Sequence, residues 1–400
     1  MYEELAIFAG IIFLYSIASG GLDRTPINGA IVYTGVGLIF GSFGLGFLSL
    51  DVGSEGLSTL AELTLALVLF TDAANADMSV LRKSFLIPQR MLLIGLPLTI
   101  LFGFGLGVLL FGGLTLVEVA ILATVLAPTD AALGKAVVTN ESVPANIREG
   151  LNVESGLNDG ICVPILFLFL GLATESSIQG GTTSLALKLV AEEIGIGVVV
   201  GGGLALLGGW LIKLSSVRGW VAKSWRQASV GALAFACFAL AQELGGSGFI
   251  ACFCGGLLFG GVVKDHKEAF LLAAEGTGDI LALITWMIFG GAVVGNHIGN
   301  FSWQVVLYAV LSLTIVRMLP VFLSLAGMGM PSSEKLFMGW FGPRGLASIV
   351  FGVIVLNADL PGGGTIIMTV VCTIILSVLA HGLSANPLVA ALVARVKRAE

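Results

Sequence analysis

Thirteen apolar runs, separated by short turn or charge clusters, divide this chain of 400 residues. They cover about 5–19, 29–48, 59–76, 91–112, 117–138, 150–173, 186–213, 228–244, 247–263, 278–295, 303–328, 336–357 and 364–391. Most are about as long as a helix needs to cross a bilayer, roughly 20 residues. In lipid each backbone N–H and C=O must be satisfied within its own segment, so such runs fold as helices. The composition agrees: 56% of residues are hydrophobic and 11% are charged, whereas soluble domains carry about 25% charged residues. The expected fold is an all-α polytopic membrane protein with about 13 transmembrane helices.

Charge placement tests that division. Of 19 Lys and Arg residues, 16 fall in odd-numbered loops or the C-terminal tail, among them Arg24, Arg82, Lys83, Lys223, Arg226 and Lys264. Lys188 alone falls in an even-numbered loop, and Arg317 and Arg344 lie inside spans. Basic residues stay on the cytoplasmic side, so the N-terminus is expected outside and the C-terminus in the cytoplasm of a multi-pass cell-membrane protein. The first run follows Glu3 and Glu4 rather than Lys or Arg, so it reads as a mature span and not a signal peptide. With 186–213 as a linker helix, six spans remain on each side. Six spans repeated after an odd linker are inverted in the membrane, an arrangement common in secondary transporters.

Nothing in the chain points to soluble chemistry. No basic tract suggests nucleic acid, and Cys252-x-Cys254 lacks a second ligand pair. The five cysteines lie in apolar segments and read as small packing residues. The glycines between Gly195 and Gly203 follow no strand and precede no Lys-Ser/Thr, so they read as a close helix contact rather than a phosphate loop. No cofactor is expected.

Ionisable residues inside apolar runs are costly and mark function by default. The segment Glu154-Ser155-Gly156-Leu157-Asn158-Asp159 carries two carboxylates and two neutral oxygen donors. Glu154 and Asn158 are four apart, as are Ser155 and Asp159, which places oxygen ligands on two adjacent helical stripes. Such a set suits a cation or a proton. Pro128 interrupts the fifth run at Ala127-Pro128-Thr129-Asp130. That break either exposes carbonyls for a cation, with Thr129 as a ligand and Asp130 offsetting the positive end of the following half-helix, or is a kink capped by Asp130. Phe341-Gly342-Pro343-Arg344-Gly345 breaks the twelfth run, at the same place in the second half. Arg344 or Arg317 needs a buried carboxylate, for which Glu154 is the candidate; the alternative is an arginine reaching an interface. At the end of the third run, Asp72 is placed on a cytoplasmic approach to the site and Asp77 caps the helix. Glu62 and Glu118 are read as interfacial, and Asp279 as the partner of a helix N-terminus.

These motifs together resemble the monovalent cation/proton antiporters, in the sodium/proton exchanger branch with the Asn-Asp motif. The resemblance rests on Thr129-Asp130, on Glu154-Ser155-x-x-Asn158-Asp159 and on Gly342-Pro343-Arg344-Gly345. It implies a homodimer embedded among membrane lipids, with no other partner protein expected. Interface helices would lie at about 5–76 and 228–295, core helices at about 91–173 and 303–391, and discontinuous helices would cross within the core. The ion-binding carboxylate falls on Asp159, with Ser155 and the Thr129 carbonyl as Na⁺ ligands. Asn158 marks the electroneutral branch, and Glu154 resembles the acidic half of an ion pair to a core arginine. One departure stands out: relatives often carry Phe-Glu-Asp-Gly where this chain has Phe70-Thr71-Asp72-Ala73, so Thr71 replaces an acidic residue.

The mechanism this implies is exchange of Na⁺ or Li⁺ for H⁺, one for one, with Asp159 binding either ion in turn. A lone carboxylate among neutral oxygens suits a monovalent ion. Burial favours its protonated form and the metal ion its charged form, so the two compete. K⁺/H⁺ exchange is the nearest rival, and a cation channel a more distant one. A membrane enzyme lacks the required motifs.

Overall fold

The computed structural model describes residues 2–22, 25, 27–48, 55–75, 86–130, 133, 135–138, 140–176, 183–222, 225, 228–263 and 267–399. All regular structure among the described residues is helical. In order these are α1 (Tyr2–Leu22), α2 (Gly29–Phe40), α3 (Glu55–Asn75), α4 (Leu86–Leu110, with a π-helical turn at Met91–Gly95) and α5 (Leu116–Val125). The single turn Lys135–Val138 precedes α6 (Ala145–Ser176), α7 (Thr183–Val217), α8 (Ala228–Glu243) and α9 (Gly248–Val262). Then come α10 (Lys267–Ile288, continued through the π-helical turn Phe289–Val294 to His297) and α11 (Trp303–Leu313 and Ile315–Ser324). The chain closes with α12 (Ser332–Trp340), α13 (Leu346–Asn357) and α14 (Gly363–Ala399). Among the described residues, eight helices are long and apolar enough to cross a membrane, and five shorter apolar ones accompany them. Each apolar run of the sequence overlaps one of these helices.

Some boundaries differ from the sequence reading. α2 ends at Phe40 rather than near residue 48, because Gly41 to Leu48 fold back in turns. The Leu45 amide donates to the Ile39 carbonyl at 2.7 Å, and Gly46 takes φ +70°, open to a residue without Cβ. Asp279 does not sit at a helix start: α10 begins at Lys267, and Asp279 is an exposed residue within it. Asp77 and the loop residues Arg24, Arg82, Lys83, Lys223, Arg226 and Lys264 lie outside the described residues.

The chain forms two compact units, Met1–Ser58 with Leu86–Asn158 and Leu283–Glu400, and Thr59–Phe85 with Asp159–Ala282. In the first, α2 crosses the π-helical turn of α10 with backbones almost touching, since Gly37 faces the Met287 carbonyl and Gly290 the Thr34 carbonyl. α4 packs on α5 and α11 through Gly103 and Gly107, and the Tyr308 hydroxyl donates to the Gly103 carbonyl at 3.2 Å. An apolar cluster containing Met91, Ile147, Leu151, Val321, Phe341 and Val389 knits α4, α6, α11 and α14 together. In the second unit, Gly197 and Gly201 let α7 approach α9; a Cβ on Gly197 would stand 2.7 Å from the Ser247 carbonyl. This is the small-residue contact read from the sequence, not a phosphate loop. All five cysteines are free.

Candidate functional site

Two helix interruptions make the site, and each completes the other. α5 starts with a capping box in which the Thr115 hydroxyl and Glu118 carboxylate satisfy each other's backbone amides. Glu118 is buried, and it also accepts from the Gly362 amide at 2.6 Å, just before α14. The interfacial placement read from sequence therefore gives way to a structural one: this carboxylate ties two helix starts. α5 then stops at Val125, ahead of Pro128, which has no amide hydrogen to continue the ladder. The terminal carbonyls of a helix need donors from elsewhere. Here the second break supplies them: the Ser348 hydroxyl donates to the Val125 carbonyl at 2.8 Å, and Arg344 Nη1 donates to the carbonyls of Ala127 and Pro128, the latter at 3.0 Å.

The return contact has the opposite sign. α13 begins at Leu346 after Gly345, which offers no side-chain cap. The Leu346 amide donates instead to Asp130 Oδ2 at 3.0 Å, and the Asp130 amide donates to the Pro343 carbonyl at 2.8 Å. A cation thus sits at the C-terminal end of α5 and an anion at the N-terminal end of α13, both favourable to the helix dipoles. Asp130 thus caps the half-helix of the other break; the residues that directly follow it, 131 and 132, lie outside the described residues. Both glycines of the Gly-Pro-Arg-Gly motif make room for this. A Cβ on Gly345 would run into the Asp130 carboxylate, and one on Gly342 would meet Arg317 and Thr129.

The Glu154 side chain, fully buried on α6, forms a bidentate pair with Arg317 of α11, both bonds 2.8 Å long. Arg317 is 1% exposed and follows the kink at Thr314, where φ is −108° and ψ −93°. Of the two candidate arginines, Arg317 makes this pair and Arg344 holds the α5 carbonyls. Asn158 Nδ2 donates to Thr129 Oγ1 at 2.7 Å and to Glu154 Oε1 at 3.3 Å. The Thr129 hydroxyl reaches Glu154 Oε2 at 3.4 Å, and Ser155 Oγ donates to the Thr129 carbonyl at 2.5 Å. Thr129, Ser155, Asn158 and Glu154 are thereby joined in one buried network, with Asp130 beside it at the α13 start. Each of Ser155 Oγ and the Thr129 carbonyl retains a lone pair for a cation while keeping their mutual bond. Asn158 Oδ1 and Arg317 Nε are buried without a protein partner; an unsatisfied amide oxygen is an acceptor for a cation or a water.

Asp159 is the next residue on the unbroken helix α6, one turn after Ser155, and is 8% exposed. A cavity of about 10 Å³ opens beside Ser155, lined by Thr129, Asp130, Val137, Leu151, Phe341 and Pro343 among others. That is close to the smallest space that holds one water. Thr71 and Asp72 lie near the end of α3 in the other compact unit. The buried Thr71 hydroxyl turns back on its own helix, reaching the Leu67 and Val68 carbonyls at 3.0 Å each, and Asp72 is half-buried.

Sequence reasoning missed one group. His381 of α14 is 1% exposed, with Nε2 at 2.8 Å from the Trp340 carbonyl and Nδ1 at 2.8 Å from the Ser377 carbonyl. Ser377 Oγ accepts from the Arg344 amide at 2.7 Å, and Ser384 Oγ from the Trp340 indole at 2.9 Å. Residues 377, 381 and 384 form a polar stripe at helical spacing within an otherwise apolar run. That stripe was the available signal.

The sequence profile of the family described as "Sodium/hydrogen exchanger, transmembrane" matches residues 9–391. Among curated proteins, the chain is 25% identical over 380 residues to a probable Na⁺/H⁺ antiporter of Schizosaccharomyces pombe, covering 90% of this chain and 50% of that one. It is 24% identical over 366 residues to the K⁺/H⁺ antiporter NhaP2 of Shewanella oneidensis, covering 90% and 62%. With the Na⁺/H⁺ antiporter ApNhaP of Aphanothece halophytica it shares 25% identity over 399 residues, covering 95% and 72%. The chain thus spans about half to two-thirds of the length of the first of these relatives. Its fold matches the sodium proton antiporter MjNhaP1 of Methanocaldococcus jannaschii with a TM-score of 0.78, at 22% identity and with 98% of each chain covered. On the extent of the profile match, this chain belongs to the transmembrane sodium/hydrogen exchanger family.

Proposed function

We propose that the chain is a secondary antiporter that exchanges Na⁺ or Li⁺ for H⁺ by alternating access, one ion for one proton. The observation that carries this reading is the commitment of Glu154 to Arg317. That pair cancels its own charge, and we assign the charge that changes with the cargo to Asp159, 8% exposed on the same helix. Ser155, the Thr129 carbonyl and Asn158 Oδ1 offer neutral oxygens, and none adds a second charge. Loaded with either H⁺ or Na⁺, Asp159 is neutralised; empty, it is an anion whose passage through the membrane barrier is costly. Exchange follows from competition for one carboxylate and needs no separate coupling device. Asp130 and Arg344 position the breaks. Asp72, with Thr71 in place of an acidic residue, lines an approach from the cytoplasm.

The core helices at about 91–173 and 303–391 carry the site, and those at about 5–76 and 228–295 form the interface. We assign thirteen crossings, with the N-terminus outside and the C-terminus in the cytoplasm. No residue in the apolar stretch of α1 is fully buried within the chain, which leaves that helix open to lipid and to a second copy of this chain.

Proteoliposomes with an entrapped pH dye test the reading. Addition of Na⁺ or Li⁺ should move protons, and Asp159→Asn should abolish the response while the purified dimer persists. Exchange at the wild-type rate in Asp159→Asn removes Asp159 from the role. A rate that responds to an imposed membrane potential contradicts one-for-one exchange. Curated K⁺/H⁺ relatives make K⁺ the necessary comparison: a response to K⁺ and not to Na⁺ assigns the cargo to K⁺.

A further inference from the structure

The buried imidazole of His381 ties the residue that precedes the second break to α14. Its two nitrogens each face a carbonyl oxygen at 2.8 Å, Trp340 before the break and Ser377 within α14. Carbonyl oxygens only accept, and a neutral imidazole has one N–H and one lone pair. A neutral ring therefore sets its lone pair against one of the two oxygens; only the doubly protonated ring donates to both. The neutral ring has a fallback. With its proton on Nε2, its Nδ1 can accept from the Ser377 hydroxyl, 3.2 Å away, at the loss of the Ser377 carbonyl bond. That hydroxyl is also the acceptor of the Arg344 amide. From Arg344 the path runs through its guanidinium to the Ala127 and Pro128 carbonyls, next to Thr129.

The charged groups around the ring set a balance. Burial weighs first against the charged ring, and Arg344 from the break and Arg317 from α11 add to it as like charges, Glu154 offsetting Arg317 through their pair. α14 itself carries Cys372 and Arg395, and α12 carries Glu334 and Lys335 at the end away from Trp340. In favour of the cation stand the two carbonyls and the π faces of Trp340, at 5.1 Å between ring centroids, and Phe341, at 6.4 Å.

We propose that His381 is a positioning residue for exchange: its Nε2 holds the Trp340 carbonyl ahead of the second break, and on losing a proton its Nδ1 turns from the Ser377 carbonyl to the Ser377 hydroxyl, shifting the group that holds the Arg344 amide. This rests on the antiporter reading given above. The ring touches none of the ion ligands, so its effect passes through the break. Competition between H⁺ and Na⁺ at Asp159 changes the apparent KM for Na⁺, whereas a change in the break alters the maximal rate. The two effects separate at saturating Na⁺.

Two measurements on the full chain test it. In ¹⁵N-histidine NMR of the purified protein, which has three histidines, the signals absent from His381→Gln identify the ring. Expected are two exchange-protected ring N–H groups at acid pH and one at alkaline pH. In proteoliposomes at saturating Na⁺, the maximal rate of wild type should follow that titration. His381→Gln, a fixed neutral side chain, should lose that pH dependence while retaining the pH dependence of KM. If His381→Gln does not fold, Ser377→Ala serves: His381 should still titrate, with the rate uncoupled from it. A ring that keeps one proton throughout overturns the proposal, as does a maximal-rate profile unchanged in both variants. A wild-type protein that moves no protons with Na⁺, Li⁺ or K⁺ refutes the antiporter reading instead, and the NMR titration still decides the tie.

Discussion

Glu154→Gln keeps the shape of the α6 side chain and removes its charge, which leaves Arg317 as a cation 1% exposed and without its carboxylate. Two bonds of 2.8 Å to a charged acceptor are weakened together. Removing one partner of a buried pair costs about 3–5 kcal/mol, because the remaining charge keeps its desolvation penalty and loses its compensation. Arg317→Met should cost a similar amount by stranding Glu154. The double variant Glu154→Gln/Arg317→Met removes both charges, and replacing a whole buried pair is often neutral or stabilising. The losses should therefore be strongly non-additive, with a coupling energy of at least about 3 kcal/mol. Heating in detergent followed by fluorescence-detected size exclusion reads this as an apparent midpoint. Each single variant should fall by on the order of 5 °C, and the double variant should recover most of it. Single variants as stable as wild type, or a double variant as poor as the worse single, would refute the view that Arg317 exists to compensate Glu154.

Other outcomes follow from the two breaks and the ligand set. Gly345→Ala places a methyl group where the Asp130 carboxylate lies, at a cost of about 1–3 kcal/mol; an unchanged melting midpoint would contradict that close approach. Asp130→Asn keeps an acceptor for the Leu346 amide but loses the charge at the α13 start, worth about 0.3–2 kcal/mol. Amide hydrogen exchange in the first turn of α13 should accelerate, more so in Asp130→Ala; equal protection in all three proteins would count against the cap. Ser155→Ala removes the bond to the Thr129 carbonyl and, on the proposed ligand set, one neutral oxygen, so the apparent KM for Na⁺ should rise with a smaller change in maximal rate. An unaltered KM would remove Ser155 from the ligand set.

The helices were legible because a lipid solvent leaves apolar runs one solution. Both breaks were legible because Pro128 and Pro343 lack the donor a helix needs. What the breaks do to each other was hidden. For Asp130 the pattern along the chain offers only its own following half-helix, whereas the structure adds a partner, Leu346, 216 residues away. The choice between Arg317 and Arg344 stayed open for the same reason: a pattern along the chain names a charge that needs a partner, not which distant cation arrives. Glu118 shows a signal present but underused, since Thr115-x-x-Glu118 is a capping-box spacing. The boundary of α2 went wrong because residues 41–48 are as apolar as a helix, and only their glycines betray the turns.

The exchange of end charges between the breaks also bears on how the chain is made. α5 and its carbonyls are synthesised long before Arg344, whose guanidinium contacts lie 217 and 216 residues back along the chain. At about 5–20 residues per second, the first break waits roughly 10–40 s for its cation. During that interval the α5 end is an unfinished helix terminus in or near lipid, which either stays hydrated or borrows a donor from the insertion machinery. Arrest of translation before residue 343 should leave that break open to water-soluble labels, and release should close it.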